Sequence, residues 1–174
     1  MKRLVKYAGL FLVSLVAIIL AVYLPPANAA EQETIKIGLL DPLSGPFEYA
    51  GRLYYAAVEF AVAEQNEKGG LLGKKIEVLR EDSQLKPAAA TRKAKQLVLE
   101  DKVTFLGTGT GSHIGLAVGK VADNYKTLLI NYGAMADEIQ GKEFTRYAFR
   151  VSQNAYAFSA SLSKWFAKQP YKTF

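Results

Sequence analysis

The 174-residue sequence contains no cysteine and only one histidine, His113. The absence of cysteine excludes disulfides, thiolate metal sites, cysteine nucleophiles and a lipid-modified cysteine anchor. With one histidine, a His-rich metal site or a Ser-His-Asp triad is hard to build. The loop carboxylates Asp41, Glu48 and Asp137 show no spacing typical of acid/base catalysis, so we expect them to be solvated. We therefore expect no metal, no cofactor and no enzymatic activity, with His113 at the surface.

Long hydrophobic runs are scarce, and the clearest one lies at the N-terminus, from Ala8 to Leu24. Basic residues precede this run, two prolines end it, and small residues up to Ala29 form a site that a signal peptidase recognises. We predict a signal peptide over residues 1–29, cleaved after Ala29. An uncleaved membrane anchor is the alternative, but the run is slightly shorter than the roughly 20 residues of a full span. Cleavage predicts a protein that diffuses freely in a bacterial periplasm.

The excess of positive charge is also small once the predicted signal peptide is removed. Its removal takes away Lys2, Arg3 and Lys6 and no acidic residue, so the formal net charge falls from +6 to +3. This balance is ordinary for a soluble domain and gives no reason to expect a nucleic-acid partner.

Beyond residue 30, strand-like and helix-like segments alternate. The predicted strands cover 35–40, 75–80, 103–106, 127–130 and 147–151, and the predicted helices cover 52–67, 87–100, 113–125 and 155–168. The predicted core faces of the first three helices are Tyr55, Val58, Ala61 and Val62; Ala90, Ala94, Leu97 and Val98; and Ala117, Val118, Val121 and Ala122. Alternating strands and helices with short connections predict an α/β fold, a doubly wound parallel sheet covered on both faces.

Ligands of open α/β sheets bind beyond the carboxyl ends of the strands. Three predicted loops leave such ends: Asp41–Gly51, Gly107–Ser112 and Asn131–Ala136. Tyr49 and Tyr132 lie in two of these loops, where each could line an apolar ligand group or serve only as packing.

The loop Gly107–Ser112 alternates glycine with polar residues. Such glycines let a backbone approach a ligand closely and present its N–H groups. Ser112 falls where a helix begins, so its hydroxyl could cap that helix or bind an anion such as a carboxylate. Gly111 belongs to the same loop. The spacing does not match a dinucleotide fingerprint, because Ser112 stands where the third glycine is required.

The last residues, 169–174, have the pattern of a helix stop followed by a strand entry. We interpret this ending as a truncated chain. A short closing strand of an intact small domain is the alternative.

In this order and spacing, these segments resemble the branched-chain amino-acid-binding proteins, the leucine/isoleucine/valine-binding group of periplasmic receptors of ABC importers. The residues that carry the resemblance are Ser44-Gly45-Pro46, Gly51, Asn66, Lys68-Gly69-Gly70, Gly73, Glu81-Asp82, Pro87, the glycine–serine loop and Ile130–Glu138. The resemblance extends over essentially the whole chain after the signal peptide.

The resemblance implies a two-lobed receptor that closes on a small solute and then docks on a membrane permease. Residues 30–168 would form the N-terminal ligand-binding lobe, and residues 169–174 would begin the crossover to a second lobe that this chain lacks. A monomer is expected. A ligand-sensing ectodomain of a signalling receptor is the alternative, and an exported α/β enzyme is a weaker one.

The same resemblance assigns site residues. Ser112, beside Gly111, takes the position of the serine that binds the main-chain groups of the amino acid, and Gly133 and Ala134 take the backbone positions after the fourth strand. Met135 stands where the family has threonine, and the first-loop aromatic position is filled by alanine with Tyr49 next to it. These departures imply an amino acid or related carboxylate other than leucine, with Tyr49, Tyr132 and Met135 lining its side chain.

Overall fold

The computed structural model describes residues 34–170. Five strands and four α-helices are arranged along this segment in the order β1 (Ile35–Asp41), α1 (Glu48–Glu67), β2 (Ile76–Asp82), α2 (Pro87–Leu99), β3 (Phe105–Thr108), α3 (Ser112–Tyr125), β4 (Leu128–Asn131), β5 (Ala148–Arg150) and α4 (Ala155–Phe166), with a 3₁₀ turn over Asp137–Gln140 before β5. No helix within residues 34–170 is long and apolar enough to cross a membrane. The predicted signal peptide and the predicted strand entry after Pro170 lie outside the described residues.

The five strands form one parallel sheet in the order β2-β1-β3-β4-β5. Ile37 of β1 is paired with Val78 of β2 on one side and with Phe105 of β3 on the other. The connection from β1 to β2 runs in one direction across the sheet, and the later connections run in the other. Right-handed crossovers then place α1 on one face and α2 and α3 on the opposite face, which is the doubly wound fold predicted from the sequence.

Two apolar cores lie on the two faces of the sheet because successive strand residues point in opposite directions. Leu40 and Leu106 face α2 and α3, where Leu97 and Val118 pack against them. Each of these four side chains is at most 1% exposed to solvent. Leu39 faces α1 instead. The members of this second core are Ile37, Leu39 and Tyr55, with Val58, Val62, Ile76, Val78, Phe105 and Tyr132 packed against them.

The predicted core faces are largely confirmed. Tyr55 of α1 is buried with Val58 and Val62 beside it, and Ala90, Ala94 and Leu97 of α2 are buried with Val98 packed against them. Two predictions were wrong: Ala61 is exposed, and Ala117 is only half-buried. The buried residue that replaces Ala117 in the core of α3 is Ile114.

Helix α1 begins at Glu48, four residues earlier than predicted, so the loop after β1 is shorter than the predicted range Asp41–Gly51. Gly51 lies inside the helix, at a position where a Cβ would overlap the carbonyl of Pro42. The first turn also gains an ion pair in which Arg52 Nε lies 2.6 Å from Glu48 Oε1. The glycine that suggested a loop is therefore required for packing inside a helix.

Helix α4 differs from the other helices in that it buries none of its residues. Asn154 caps it, since its Oδ1 accepts the N–H of Ala157 at 2.6 Å. The helix ends at Phe166, two residues before the predicted end. Tyr156, Phe158, Leu162 and Trp165 on this helix are all exposed. The core of the described segment therefore lies between β1 and β5.

Candidate functional site

The order of the strands places a topological switch point between β1 and β3, because the connections that follow these two strands run in opposite directions across the sheet. In open α/β sheets, the crevice at such a point is where ligands bind. The segments that follow β1, β3 and β4 meet at this edge. Tyr132 N–H donates to the carbonyl of Thr108 at 3.0 Å, which joins the β4 segment to the end of β3.

Asp41 places a buried carboxyl group at this edge of the sheet. It is the last residue of β1 and is fully buried, so the expectation of a solvated loop carboxylate was wrong. Its Oδ1 accepts the N–H groups of Gly109 at 3.1 Å and Thr110 at 2.7 Å, and its Oδ2 accepts a short hydrogen bond from the Tyr132 hydroxyl. Burial raises the pKa of the Asp41 carboxyl, and these hydrogen bonds oppose that rise.

Tyr132 is held between this carboxylate and a second tyrosine. Burial and the charge of Asp41 raise the pKa of the Tyr132 hydroxyl far above its ordinary value, so the hydroxyl is the donor in this pair. The ring of Tyr132 lies 5.0 Å from the ring of Tyr54, centroid to centroid, at a tilt of 52°. Tyr132 is therefore a packed residue of the site, and any contact that it makes with a ligand stays a prediction.

The glycines in and after β3 leave room for tyrosine rings, and their approach to a ligand stays a prediction. A Cβ on Gly109 would lie 2.6 Å from the Tyr132 ring and 2.8 Å from the Tyr54 ring, and a Cβ on Gly107 would lie 2.9 Å from Tyr132. A Cβ on Gly133 would overlap the Tyr54 hydroxyl. Tyr54 was not predicted as a site residue; the pair Tyr54-Tyr55 near the start of a predicted helix is the sequence signal that could have indicated it.

Tyr55, the neighbour of Tyr54, ties the ends of β1 and β2 together. Its buried hydroxyl accepts the N–H of Asp41 at 3.0 Å and lies 2.7 Å from the carbonyl of Glu81, to which it can donate. Burial raises the pKa of this hydroxyl, so it stays protonated as a donor. The carboxyl edge is thus held by side chains as well as by the strand ladder.

Ser112 is the first residue of α3, and Gly111 is the residue that caps it. Gly111 has a φ of 88°, which favours glycine. Of the two roles left open for Ser112, the helix cap is wrong, because the N-cap position is Gly111 and Ser112 is the first helical residue. Its hydroxyl instead accepts the N–H of Ala136 at 3.1 Å and still has a proton to donate. The exposed His113 contacts the carbonyl of Leu85 at 3.1 Å through Nε2.

The backbone after β4 is fixed by Asn131, which is fully buried. Asn131 Oδ1 accepts the N–H of Ala134 at 2.9 Å and that of Gly133 at 3.4 Å. The carbonyl of buried Ala134 accepts the Ser152 hydroxyl at 3.1 Å. The structure therefore brings Ser112 and the Gly133–Ala134 backbone to one edge, with the Ala134 N–H already hydrogen-bonded within the protein.

The two remaining predicted residues have different surroundings. Met135 is half-buried, and its carbonyl accepts the N–H of Ala155 at 2.8 Å and Arg150 Nη1 at 3.3 Å. Tyr49 lies on the first turn of α1 with 74% of its surface exposed. Their contact with a ligand stays a prediction.

Asp82 fixes the loop that follows β1. Its carboxylate accepts the N–H groups of Leu43 and Gln84, each at 2.8 Å, and the Ser44 hydroxyl at 2.7 Å. These hydrogen bonds outweigh partial burial and lower the pKa of Asp82. Among the residues that the structure describes, no three histidine or carboxylate side chains converge into a group that could hold a metal ion.

Taken together, a parallel sheet of this order with polar groups at its switch point defines the class of open α/β ligand-binding domains. Residues 34–174 match the model of a family described as periplasmic binding protein, and the chain belongs to that family. Among curated relatives, the Leu/Ile/Val-binding protein homolog 4 of Brucella abortus is 34% identical over 142 residues, which cover 78% of this chain and 34% of that protein. The chain spans about a third of the length of these relatives. The resemblance to the branched-chain amino-acid-binding proteins is thus confirmed.

Solved structures of binding proteins are also similar to this chain. A leucine-, isoleucine-, valine-, threonine- and alanine-binding protein from Brucella ovis matches with a TM-score of 0.66 and 34% identity, covering 71% of this chain and 33% of that one. A branched-chain amino-acid-binding protein of Streptococcus pneumoniae in complex with isoleucine gives 0.66 and 29%, covering 70% and 34%. A solute-binding protein of Rhodopseudomonas palustris in complex with 3,4-dihydroxybenzoic acid gives 0.69 and 28%, covering 78% and 36%. The third is described as a solute-binding protein of an ABC transporter and the second as a transporter substrate-binding protein. None of the three is described as an enzyme.

Proposed function

We propose that this chain is the N-terminal lobe of an extracytoplasmic solute-binding protein that serves an ABC importer and binds a small carboxylate such as an amino acid. The observation that carries this proposal is the meeting of Ser112 with the backbone after β4 at the switch point of the sheet. The Ser112 hydroxyl accepts one N–H there and retains its own proton. A hydroxyl with a free proton at a helix N-terminus is suited to donate to a carboxylate.

The ligand's charged end would lie against Ser112, Gly111 and the Gly133–Ala134 backbone. Its remaining part would face Tyr49, Tyr132 and Met135. The similar proteins were solved with isoleucine and with 3,4-dihydroxybenzoic acid, which share a carboxylate and differ in the rest. This supports a carboxylate as the common feature of the ligand class.

A cleaved signal peptide over residues 1–29 would deliver the protein to the periplasm, where it works as a monomer. Closure of a second lobe over the ligand would shift the population toward the form that a membrane permease recognises. The family to which residues 34–174 belong is extracytoplasmic, which supports this location.

The test is a thermal-shift screen of the full-length gene product with L-leucine, L-isoleucine, 4-hydroxybenzoate and 3,4-dihydroxybenzoate, followed by calorimetry on the best probe. Ser112→Ala should weaken binding by about 1–3 kcal/mol, because a hydrogen bond to a charged group is lost. Ser112→Thr keeps the hydroxyl and should bind nearly as the wild type does.

Ser163→Ala is the matched control, since the one hydrogen bond that the described residues give the Ser163 hydroxyl goes to the carbonyl of Ser159 on its own helix, at 2.8 Å. Its affinity should be unchanged. Equal affinity of Ser112→Ala and wild type would remove Ser112 from the binding site. A screen in which no small carboxylate stabilises the protein would refute the proposed ligand class.

A further inference from the structure

Asp41 is a buried carboxylate whose charge is met by dipoles alone. Both oxygens accept hydrogen bonds, from the N–H groups of Gly109 and Thr110 and from the Tyr132 hydroxyl. The contacts described for residues 34–170 give Asp41 no lysine or arginine partner. Two successive N–H groups and a hydroxyl are the donor set with which proteins bind a foreign carboxylate.

The donors come from different segments of the chain. Gly109 and Thr110 belong to the loop that leads from β3 into α3, and Tyr132 follows β4. Asp41 stands at the end of β1, between them. One side chain therefore ties the segment before Ser112 to the segment before Gly133.

We propose that the N–H groups of Gly109 and Thr110, with the Tyr132 hydroxyl, form an internal carboxylate site whose resident occupant is the Asp41 side chain, which makes Asp41 a positioning residue of the ligand edge. The N–H groups of Gly109 and Thr110 are then occupied by a side chain of the protein itself and are not free to bind a solute. A bound solute must be held by groups further along, from Gly111 and Ser112 onward. The positioning role and this last consequence rest on the proposed function, whereas the internal carboxylate site does not.

The loop after β3 depends on the Asp41 carboxylate for hydrogen bonding. Thr108 and Gly111, on either side of Gly109 and Thr110, are held by other hydrogen bonds, whereas the hydrogen bonds described for the Gly109 and Thr110 N–H groups both go to Asp41. Removal of the carboxylate would leave two N–H groups and a tyrosine hydroxyl unpaired in a buried space. Unpaired buried groups destabilise the fold and attract any anion small enough to enter.

The experiment is chemical rescue of Asp41→Gly by sodium formate, followed by thermal unfolding of this chain. Glycine removes the Cβ as well, which leaves room for the smallest carboxylate. The melting temperature of Asp41→Gly should fall by about 5–10 °C. Formate should restore about half of that loss in a saturable manner, as expected for a ligand that binds only the folded state.

Three controls separate a site from a general salt effect. Sodium chloride at equal ionic strength should restore much less, and wild type should gain little from formate. Asp82→Gly is the matched variant, since Asp82 also accepts two N–H groups but is less buried, so water can replace it. Asp41→Gly with Tyr132→Phe should lose part of the rescue. Equal effects of formate and chloride, or equal effects on Asp41→Gly and Asp82→Gly, would overturn the proposal.

Asp41→Asn keeps the test decisive if Asp41→Gly does not fold. Its amide oxygen can still accept both N–H groups, so the amide protons of Gly109 and Thr110 should stay protected from hydrogen exchange. Free exchange of both in a folded Asp41→Asn protein would contradict the assignment.

Positioning is tested in the full-length gene product with L-leucine or whichever of the four screened carboxylates binds. Affinity should fall about tenfold or more in Asp41→Gly and recover with formate over the same concentration range as the melting temperature. Stability rescued without affinity would contradict the positioning role. Failure of every probe to bind wild type would instead count against the proposed function and leave the formate result standing.

Discussion

At the scale of single residues, the carboxylates at the ends of β1 and β2 show how environment separates two identical groups. Asp41 is fully buried, and burial raises its pKa, whereas Asp82 accepts three hydrogen bonds near the surface, and its pKa is lowered. In the sequence alone, Asp41 and Asp82 look alike, because each is an aspartate at the end of a strand. The distinction arises because the partners of Asp41, Gly109 and Thr110, lie 68 and 69 residues away along the chain.

The lowered pKa of Asp82 makes its contribution to stability pH-dependent. A carboxylate whose pKa is lower in the folded state stabilises the fold above its unfolded pKa and loses that effect as pH falls through the folded pKa. Asp82→Asn should therefore lower the free energy of unfolding by about 0.5–1 kcal/mol near neutral pH, with allowance for solvent screening. The difference from wild type should shrink as pH falls below the ordinary aspartate pKa of about 3.9 and through the lowered pKa of Asp82.

Urea unfolding at several pH values measures this difference. A gap between Asp82→Asn and wild type that stays constant from about pH 7 to about pH 3 would show that the charge of Asp82 has no role in holding the loop after β1.

At the scale of elements, helix α3 contains two glycines, of which one lies against a buried side chain and the other has room for a Cβ. Gly115 lies against the side chain of Asn131, and a Cβ at this position would overlap the Asn131 amide nitrogen. Gly119 has its nearest neighbour, Thr145 Oγ1, 3.6 Å from where a Cβ would lie. Asn131 in turn holds the N–H of Ala134.

Gly115→Ala and Gly119→Ala form a matched pair, because both gain the same helix propensity. Gly119→Ala should stabilise the chain by up to about 1 kcal/mol. Gly115→Ala should destabilise it by about 1–3 kcal/mol, since Asn131 must shift. Urea unfolding of both variants checks this, and an equal gain in stability from both would show that Asn131 has room to move.

The elements themselves were largely predictable from the sequence. Short apolar runs and helical spacing predicted every strand and helix, since burial between two helical layers leaves a strong pattern. The start of α1 was wrong because Gly51 has a packing role that local propensity does not reveal. The place of Ser112 at the start of α3 was predicted, but its partner, the N–H of Ala136, depends on how two loops meet.

At the scale of the whole molecule, the stability of residues 34–170 is concentrated between β1 and β5. Leu97 of α2 is 1% exposed, whereas Leu162 of α4 is 43% exposed. Leu97→Ala should lower the free energy of unfolding by about 2–5 kcal/mol because it creates a cavity. Leu162→Ala should change it by less than about 0.5 kcal/mol in this chain.

Thermal or urea unfolding of the two variants measures the contrast. A large loss of stability from Leu162→Ala would mean that α4 packs against the rest of the chain in solution.

The exposed position of α4 also has a consequence for spectroscopy. Trp165, the sole tryptophan in the sequence, lies on this helix and contacts the ring of Phe166, while Tyr54 and Tyr132 lie at the switch point of the sheet. In this chain, intrinsic tryptophan fluorescence reports the environment of α4 and not that of the switch point. Binding at that edge is better followed by near-ultraviolet circular dichroism of the coupled rings of Tyr54 and Tyr132, and a silent emission spectrum would be no evidence that a solute has failed to bind.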